Sequence, residues 1–216
     1  MANIVSPSLL SCDFTNIESE LDAFKDEDIS FHLDIMDGHF VPNMTFGNPI
    51  IKQISKKTNL PLDAHFMVTN PDFYIDSLKD IPLTNFTFHL EATAEPLKLV
   101  RDIKKYFKSA GVSIRPKTSF SSIPEEVKKE MDLLLIMSVE PGFGGQSFIE
   151  STYDKIKEAN EYREKYNLSF QIQVDGGVSD NNAKALRECG ADNLVAGSFV
   201  FKGGPQNYSS NIKKLR

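Results

Sequence analysis

The chain has 216 residues, 40% of them hydrophobic and 25% charged, which suits one globular domain and excludes a disordered chain. Lys and Arg number 24 against 30 Asp and Glu, a net charge of −6, so a nucleic-acid partner is not expected. No segment approaches the roughly 20 apolar residues of a membrane span.

Short apolar runs alternate along the chain with longer charged stretches of helical period. Ile4–Ser8 is the first predicted strand, and a helix over Asn16–Lys25 follows, capped by Asp13 or Thr15. Strands are next predicted at Ser30–Met36, Leu62–Met67, Asn85–Leu90 and, after a helix over Leu97–Lys108, at Val112–Arg115. That helix puts Leu97, Val100, Ile103 and Phe107 on one face. Leu133–Val139 is the most apolar strand. A helix over Tyr153–Tyr166, a strand over Phe170–Val174, a helix over Asp180–Glu188 capped by Ser179 or Asp180, and a strand over Asn193–Ala196 complete the series. Repeated β-then-α units connected in the right-handed sense predict a single (β/α)8 TIM barrel over residues 1–216. The alternative, a doubly wound open sheet, usually has fewer strands, and no GxGxxG follows the first strand here.

Active sites of such barrels lie at the C-terminal ends of the strands. His32 and Asp34, at i and i+2, share one face of the second strand, with Phe31, Leu33 and Ile35 on the other. His65 ends the third strand. Asp175 follows the seventh and precedes Gly176 and Gly177, which would let a ligand approach the backbone. Either histidine alone reads equally well as a core residue satisfied by an acid. Together the four make an N₂O₂ set that suits Zn²⁺, Fe²⁺, Mn²⁺ or Co²⁺ better than Mg²⁺ or Ca²⁺. His89 and Glu91 form a competing pair, expected to orient a ligand rather than to be one. His39, in the loop after the second strand, is expected to meet substrate or solvent.

Three glycines in the run Gly142-Phe143-Gly144-Gly145 make a loop whose N–H groups can cradle an anion. Gly176–Gly177 and Gly197–Ser198 stand after strands seven and eight, where barrels often bind phosphate. A phosphorylated substrate is therefore expected, and backbone amides can hold it in an acidic protein.

The segments FHLDIMDGHFVPNMTFG, DAHFMV, VEPGFGGQSF, VDGGV and AGSFVF, in this order, resemble those of the ribulose-phosphate 3-epimerase family. The resemblance implies one divalent metal ion per subunit on His32, Asp34, His65 and Asp175, with Asp34 and Asp175 also the acid/base pair. It implies substrate contacts from Ser8, His65, Asp175, the glycine-rich loops (Gly142, Phe143, Gly144, Gly145, Gly176, Gly177, Gly197) and Ser198. Met36, Met67 and Met137, which alone would read as core filler, would line the site. It further implies C3 epimerisation of a phosphorylated ketose in the pentose phosphate pathway, D-ribulose 5-phosphate to and from D-xylulose 5-phosphate, and a homo-oligomer. Departures at Phe66 and over Ser113–Ser119 are expected to touch only the shape of the pocket.

The alternatives are a 3-epimerase of a ketohexose 6-phosphate such as D-allulose 6-phosphate, a phosphate-binding barrel lyase, and a non-catalytic sugar-phosphate sensor. A lyase would need a strand-end lysine, and only Lys117, past Pro116, is near one. Two distant cysteines, Cys12 and Cys189, read as free thiols. The start, MANIVSPSLL, lacks the pattern of a signal peptide, so a cytoplasmic location is expected.

Overall fold

A computed structural model describes residues 3–216; Met1 and Ala2 lie outside the described residues. The described residues form β1 (Ile4–Pro7), β2 (Phe31–Met36), β3 (Leu62–Met67), β4 (Asn85–His89), β5 (Ala110–Ile114), β6 (Leu133–Met137), β7 (Gln171–Asp175) and β8 (Asn193–Ala196). All pair in parallel, in the order β1-β8-β7-β6-β5-β4-β3-β2. A bridge between Ser8 and His32 and a 3.4 Å bond from the Ser30 N–H to the Val5 carbonyl close the ring between β1 and β2. The architecture is the expected (β/α)8 TIM barrel.

Helices alternate with the strands: α1 (Ile17–Asp22), α2 (Asn48–Lys57), α3 (Pro71–Leu78), α4 (Pro96–Ile103), α5 (Glu125–Glu130), α6 (Thr152–Lys165) and α7 (Ala183–Glu188). After β8 come α8 (Ser198–Phe201) and α9 (Pro205–Lys213). Four of them, α2, α3, α4 and α9, carry proline in their first turn, where its missing N–H has no intrahelical partner to lose. Several predicted ends move inward. Asp13 caps a 3₁₀ turn at Phe14–Asn16, accepting from the Thr15 N–H, so the first helix starts only at Ile17. The seventh starts at Ala183 and not at Asp180. Asn182 turns its side chain back to the Ser179 N–H and the Gly177 carbonyl, holding the intervening residues in a turn.

Side-chain alternation sorts the strands into two faces. The outward face, with Phe31, Leu33, Ile35, Ala64, Phe66, Phe86, Phe88, Leu134, Ile136, Ile172 and Val174, is buried against the helices as the main core. Burying each of the larger side chains contributes roughly 1.5–3 kcal/mol. Phe66 belongs to this layer, stacked on Phe86 at 3.8 Å, so its expected influence on the pocket is not seen; it shapes the wall behind it.

The inward face is largely polar on β1 to β4, β7 and β8, and apolar on β6 (Leu133, Leu135, Met137). Buried polar groups need partners, and most here find them within this layer, the His32 Nε2, Ser113 Oγ and Gln173 Oε1 atoms excepted. Ser6 donates to Asn193, and Asn85 accepts from Ser109 and donates to Thr87. Asp63 accepts from His32, Asn85 and Gln173. This layer forms a rigid polar plug directly beneath the strand ends.

Candidate active site and metal centre

The β2–β3 register sets His32 beside Asp63 and Asp34 beside His65. Asp175 ends β7, across β8 and β1 from β2. One ligand atom from each of His32, Asp34, His65 and Asp175 then falls within 4.8 Å of all the others. Asp34 Oδ1 lies 3.5 Å from His32 Nε2 and 3.3 Å from His65 Nδ1, and Asp175 Oδ2 lies 3.9 Å from both nitrogens. A cation about 2.1 Å from each ligand sets tetrahedral neighbours about 3.4 Å apart, close to these spacings.

The residues fit such a cation on a second count. His32 is fully buried; its Nδ1 is 2.8 Å from Asp63 Oδ2, while its Nε2 has no hydrogen-bond partner and faces the cluster. A buried polar atom left without a partner is costly, and a cation would satisfy it. The electrostatics agree. Burial opposes a charge on His32, yet Asp63 and Asp34 hold its pKa well above the ordinary value. A metal would replace the proton that the two carboxylates retain there.

The two cluster carboxylates differ. Burial pushes Asp34 up, but His32 and His65 outweigh it and hold the acid well below the usual carboxylate range. Asp175 is pushed up to about 6, first by burial and then by the negative charge of Asp34. Ser8 donates to Asp34 Oδ2 at 2.6 Å, fixing the carboxylate's rotation. Asp34 is thus the more acidic of the two carboxylates and Asp175 the less acidic.

Above the cluster opens a cleft of about 550 Å³. Ser8, Asp34, Met36, Met67, Met137, Gly142, Phe143, Gly144, Gly145, Asp175, Gly176, Gly177, Gly197 and Ser198 all line it. His32 and His65 do not; both are fully buried in its floor, so the substrate contact expected of His65 would have to pass through the ligand set. No lysine or arginine is among the described lining residues. Gly177 has φ +63°, and a Cβ there would stand 2.7 Å from the Phe148 nitrogen, so the β6 and β7 loops touch backbone to backbone.

His89 and Glu91 contribute no atom to the cluster. His89 Nε2 is 2.9 Å from His65 Nε2, and burial lowers the His89 pKa to about 4, leaving a neutral ring. His39 is exposed, its Nδ1 2.9 Å from the Asp37 carbonyl. Asp63, Gln173, Asn85 and the lining residues Leu10, Ser11 and Gln146 escaped the sequence reading. Asp63 and Gln173 stand two residues before His65 and Asp175, so the same period-2 rule would have put them on the inward face.

Comparison with known proteins follows this geometry. The family model described as "Ribulose-phosphate 3 epimerase family" matches residues 4–201. A protein of Mycobacterium tuberculosis named ribulose-phosphate 3-epimerase is 37% identical over 213 residues, covering 99% of this chain and 91% of the relative. One of Aquifex aeolicus with the same name is 37% identical, covering 99% and 95%. A rice protein named as the cytoplasmic isoform is 40% identical, covering 91% and 86%. Among solved structures, a thiamine phosphate pyrophosphorylase of Pyrococcus furiosus (TM-score 0.64, 14% identity, 99% and 93% covered) shares the barrel alone. The same holds for a mutant tryptophan synthase α-subunit from that organism (TM-score 0.66, 14% identity, 98% and 95% covered). No helix among the described residues is long and apolar enough to cross a membrane. With matching segments running from β1 to α8, the chain belongs to the ribulose-phosphate 3-epimerase family.

Proposed function

We propose that the chain interconverts D-ribulose 5-phosphate and D-xylulose 5-phosphate by proton transfer at C3, with one divalent cation held by His32, Asp34, His65 and Asp175. The carrying observation is a pair of carboxylates from separate strands, Asp34 of β2 and Asp175 of β7, converging with His32 and His65 at the floor of a single cleft. The names of the relatives support the pentulose phosphate as substrate.

The C3 hydrogen of this substrate lies beside the C2 carbonyl. As one aspartate removes it, the C–H electron pair moves into the carbonyl and leaves an enediolate. The other aspartate, protonated, delivers its proton to the opposite face of C3 while the electron pair returns from oxygen. Inversion needs the two groups on different sides, and β2 and β7 carry them with β1 and β8 between. The roles exchange with the direction of reaction. A bound divalent cation would supply charge stabilisation to the enediolate oxygens. Met36, Met67 and Met137 offer a dry, polarisable surface over the reacting carbons. The N–H groups of Gly142–Gly145, Gly177 and Ser198 are the donors available to the phosphate.

The test is incubation with ribulose 5-phosphate in D₂O, with and without a chelator. Deuterium is expected at C3 of the product, and turnover falls on metal removal. Asp34→Asn and Asp175→Asn should each lose at least ~10²-fold in kcat. Product without deuterium, or near-native turnover in either variant, overturns the two-carboxylate scheme.

A further inference from the structure

We infer that His89 and Glu91 are positioning residues: a two-step hydrogen-bond relay from Glu91 through His89 fixes His65 in the one tautomer whose Nδ1 is free to bind the cation. The inference rests on the proposed cation at the four-residue cluster.

The relay can be read atom by atom. His65 turns Nδ1 to the cluster, 3.3 Å from Asp34 Oδ1, and turns Nε2 to His89 Nε2 at 2.9 Å. Two ring nitrogens at that distance need one donor and one acceptor. The other His89 nitrogen, Nδ1, is 3.3 Å from Glu91 Oε2. Glu91 Oε1 accepts the Arg115 N–H at 2.9 Å and the Thr118 hydroxyl. An ionised carboxylate can only accept, so His89 carries its hydrogen on Nδ1 and presents a bare Nε2. His65 must then donate from Nε2, which leaves its Nδ1 bare. Each step follows from the one before, and both rings are fully buried, so no solvent competes with their contact.

The surroundings hold the relay in place. Phe40 packs against His89 with ring centroids 4.8 Å apart. The Arg115 guanidinium lies 4.2 Å over Phe40 and bonds its carbonyl. Lys155 of α6 ties down the carbonyls of Arg115 and Pro116 at 3.1 and 2.9 Å. His32, the other ring of the cluster, reaches a carboxylate directly in Asp63. The two histidines thus present opposite nitrogens, Nε2 and Nδ1, and each tautomer is set by a different acid. Carboxylates that fix a ligating imidazole commonly matter 10–100-fold in metal affinity.

Three variants separate this role from simple packing. Glu91→Gln keeps size and shape. Its Oε1 can still accept from Arg115 and Thr118, but its NH₂ then faces His89 Nδ1. That reverses the relay and puts hydrogen on His65 Nδ1. His89→Leu removes the acceptor, whereas His89→Gln retains a carbonyl for the His65 N–H. The readouts are the Zn²⁺ dissociation constant by chelator competition and imidazole ¹⁵N shifts of the zinc-loaded protein, with thermal unfolding of the metal-free variants as the check on folding. Glu91→Gln and His89→Leu should bind Zn²⁺ about 10–100-fold more weakly, with His89→Gln staying nearer the native value. The native zinc-loaded protein should show His65 protonated at Nε2 and His89 at Nδ1. Native Zn²⁺ affinity in a folded Glu91→Gln, or hydrogen found on His65 Nδ1 in the loaded native protein, overturns the relay. A native chain that binds no Zn²⁺, Co²⁺, Mn²⁺ or Fe²⁺ overturns instead the cation reading beneath it.

Discussion

Replacing Asp63 by alanine probes the polar plug under the cluster. The carboxylate is 3% exposed and takes hydrogen bonds from His32 Nδ1 (2.8 Å), Gln173 Nε2 (2.6 Å) and Asn85 Nδ2 (2.6 Å). Asp63→Ala strands three buried donors at about 1–3 kcal/mol each, or about 3–9 kcal/mol together. Relief from burying a charge, and water entering the space, bring the expectation to about 3–5 kcal/mol, the usual cost of breaking a buried ionic pair. At about 2–4 °C per kcal/mol for a chain of this size, the melting temperature should fall by roughly 6–20 °C. Asp63→Asn should cost far less. Asn85 can flip its amide, offering oxygen to the new NH₂ and to the Thr87 hydroxyl while its NH₂ turns to Ser109, which leaves His32 and Gln173 an acceptor. The assay is thermal and urea unfolding of both variants in chelator, so that metal binding does not contribute. A loss under about 1 kcal/mol in Asp63→Ala, or equal losses in the two variants, would refute the view that these three donors depend on one carboxylate.

Other consequences can be measured independently. Gly177→Ala should both lower Tm and raise KM for the sugar phosphate, because a Cβ at φ +63° and 2.7 Å from the Phe148 nitrogen strains the turn and pushes the β6 loop outward; unchanged steady-state kinetics would contradict it. Asp37, opposed by partial burial but held by the N–H groups of Thr69, Phe40 and His39, has its pKa lowered from 3.8 to about 2. A depressed acid stabilises the fold above its unfolded pKa and loses that contribution as pH falls through the folded one. Asp37→Asn should therefore cost about 1 kcal/mol at pH 7, after solvent screening, and only a small fraction of that by pH 2, as read by urea titrations across that range. Burial, aided by Glu20 and Asp13, pushes the Cys12 thiol up to about 12, so iodoacetamide at pH 8 should leave it unmodified in native protein and label it in urea; rapid native labelling would show an exposed thiolate.

The barrel and the cluster were legible because alternation along a strand survives any detail of packing. His32 and Asp34 on one face, against Phe31, Leu33 and Ile35 on the other, already put two polar groups indoors. What could not be read was register. That Asp63 meets His32, and that His65 meets His89 of the next strand, depends on how far each strand is shifted along its neighbour. Helix ends were unreadable for a local reason: side chains such as Asp13 and Asn182 bond to nearby backbone and trade the first helical turn for a 3₁₀ or open one.

The closure between β1 and β2 has a wider consequence. Neighbouring strands elsewhere share at least three register pairs, yet this seam has one bridge and one long bond among the described residues. Ser8 and Asp34 sit on its two lips, joined by a 2.6 Å bond. A ligand in the cleft would touch both lips, and a cation in the cluster would link β2 to β7 across this joint. Amides flanking the seam should be the first of the barrel to exchange with solvent and the most strongly protected when the site fills. A ligand bound here would thus help to fasten the architecture at this seam.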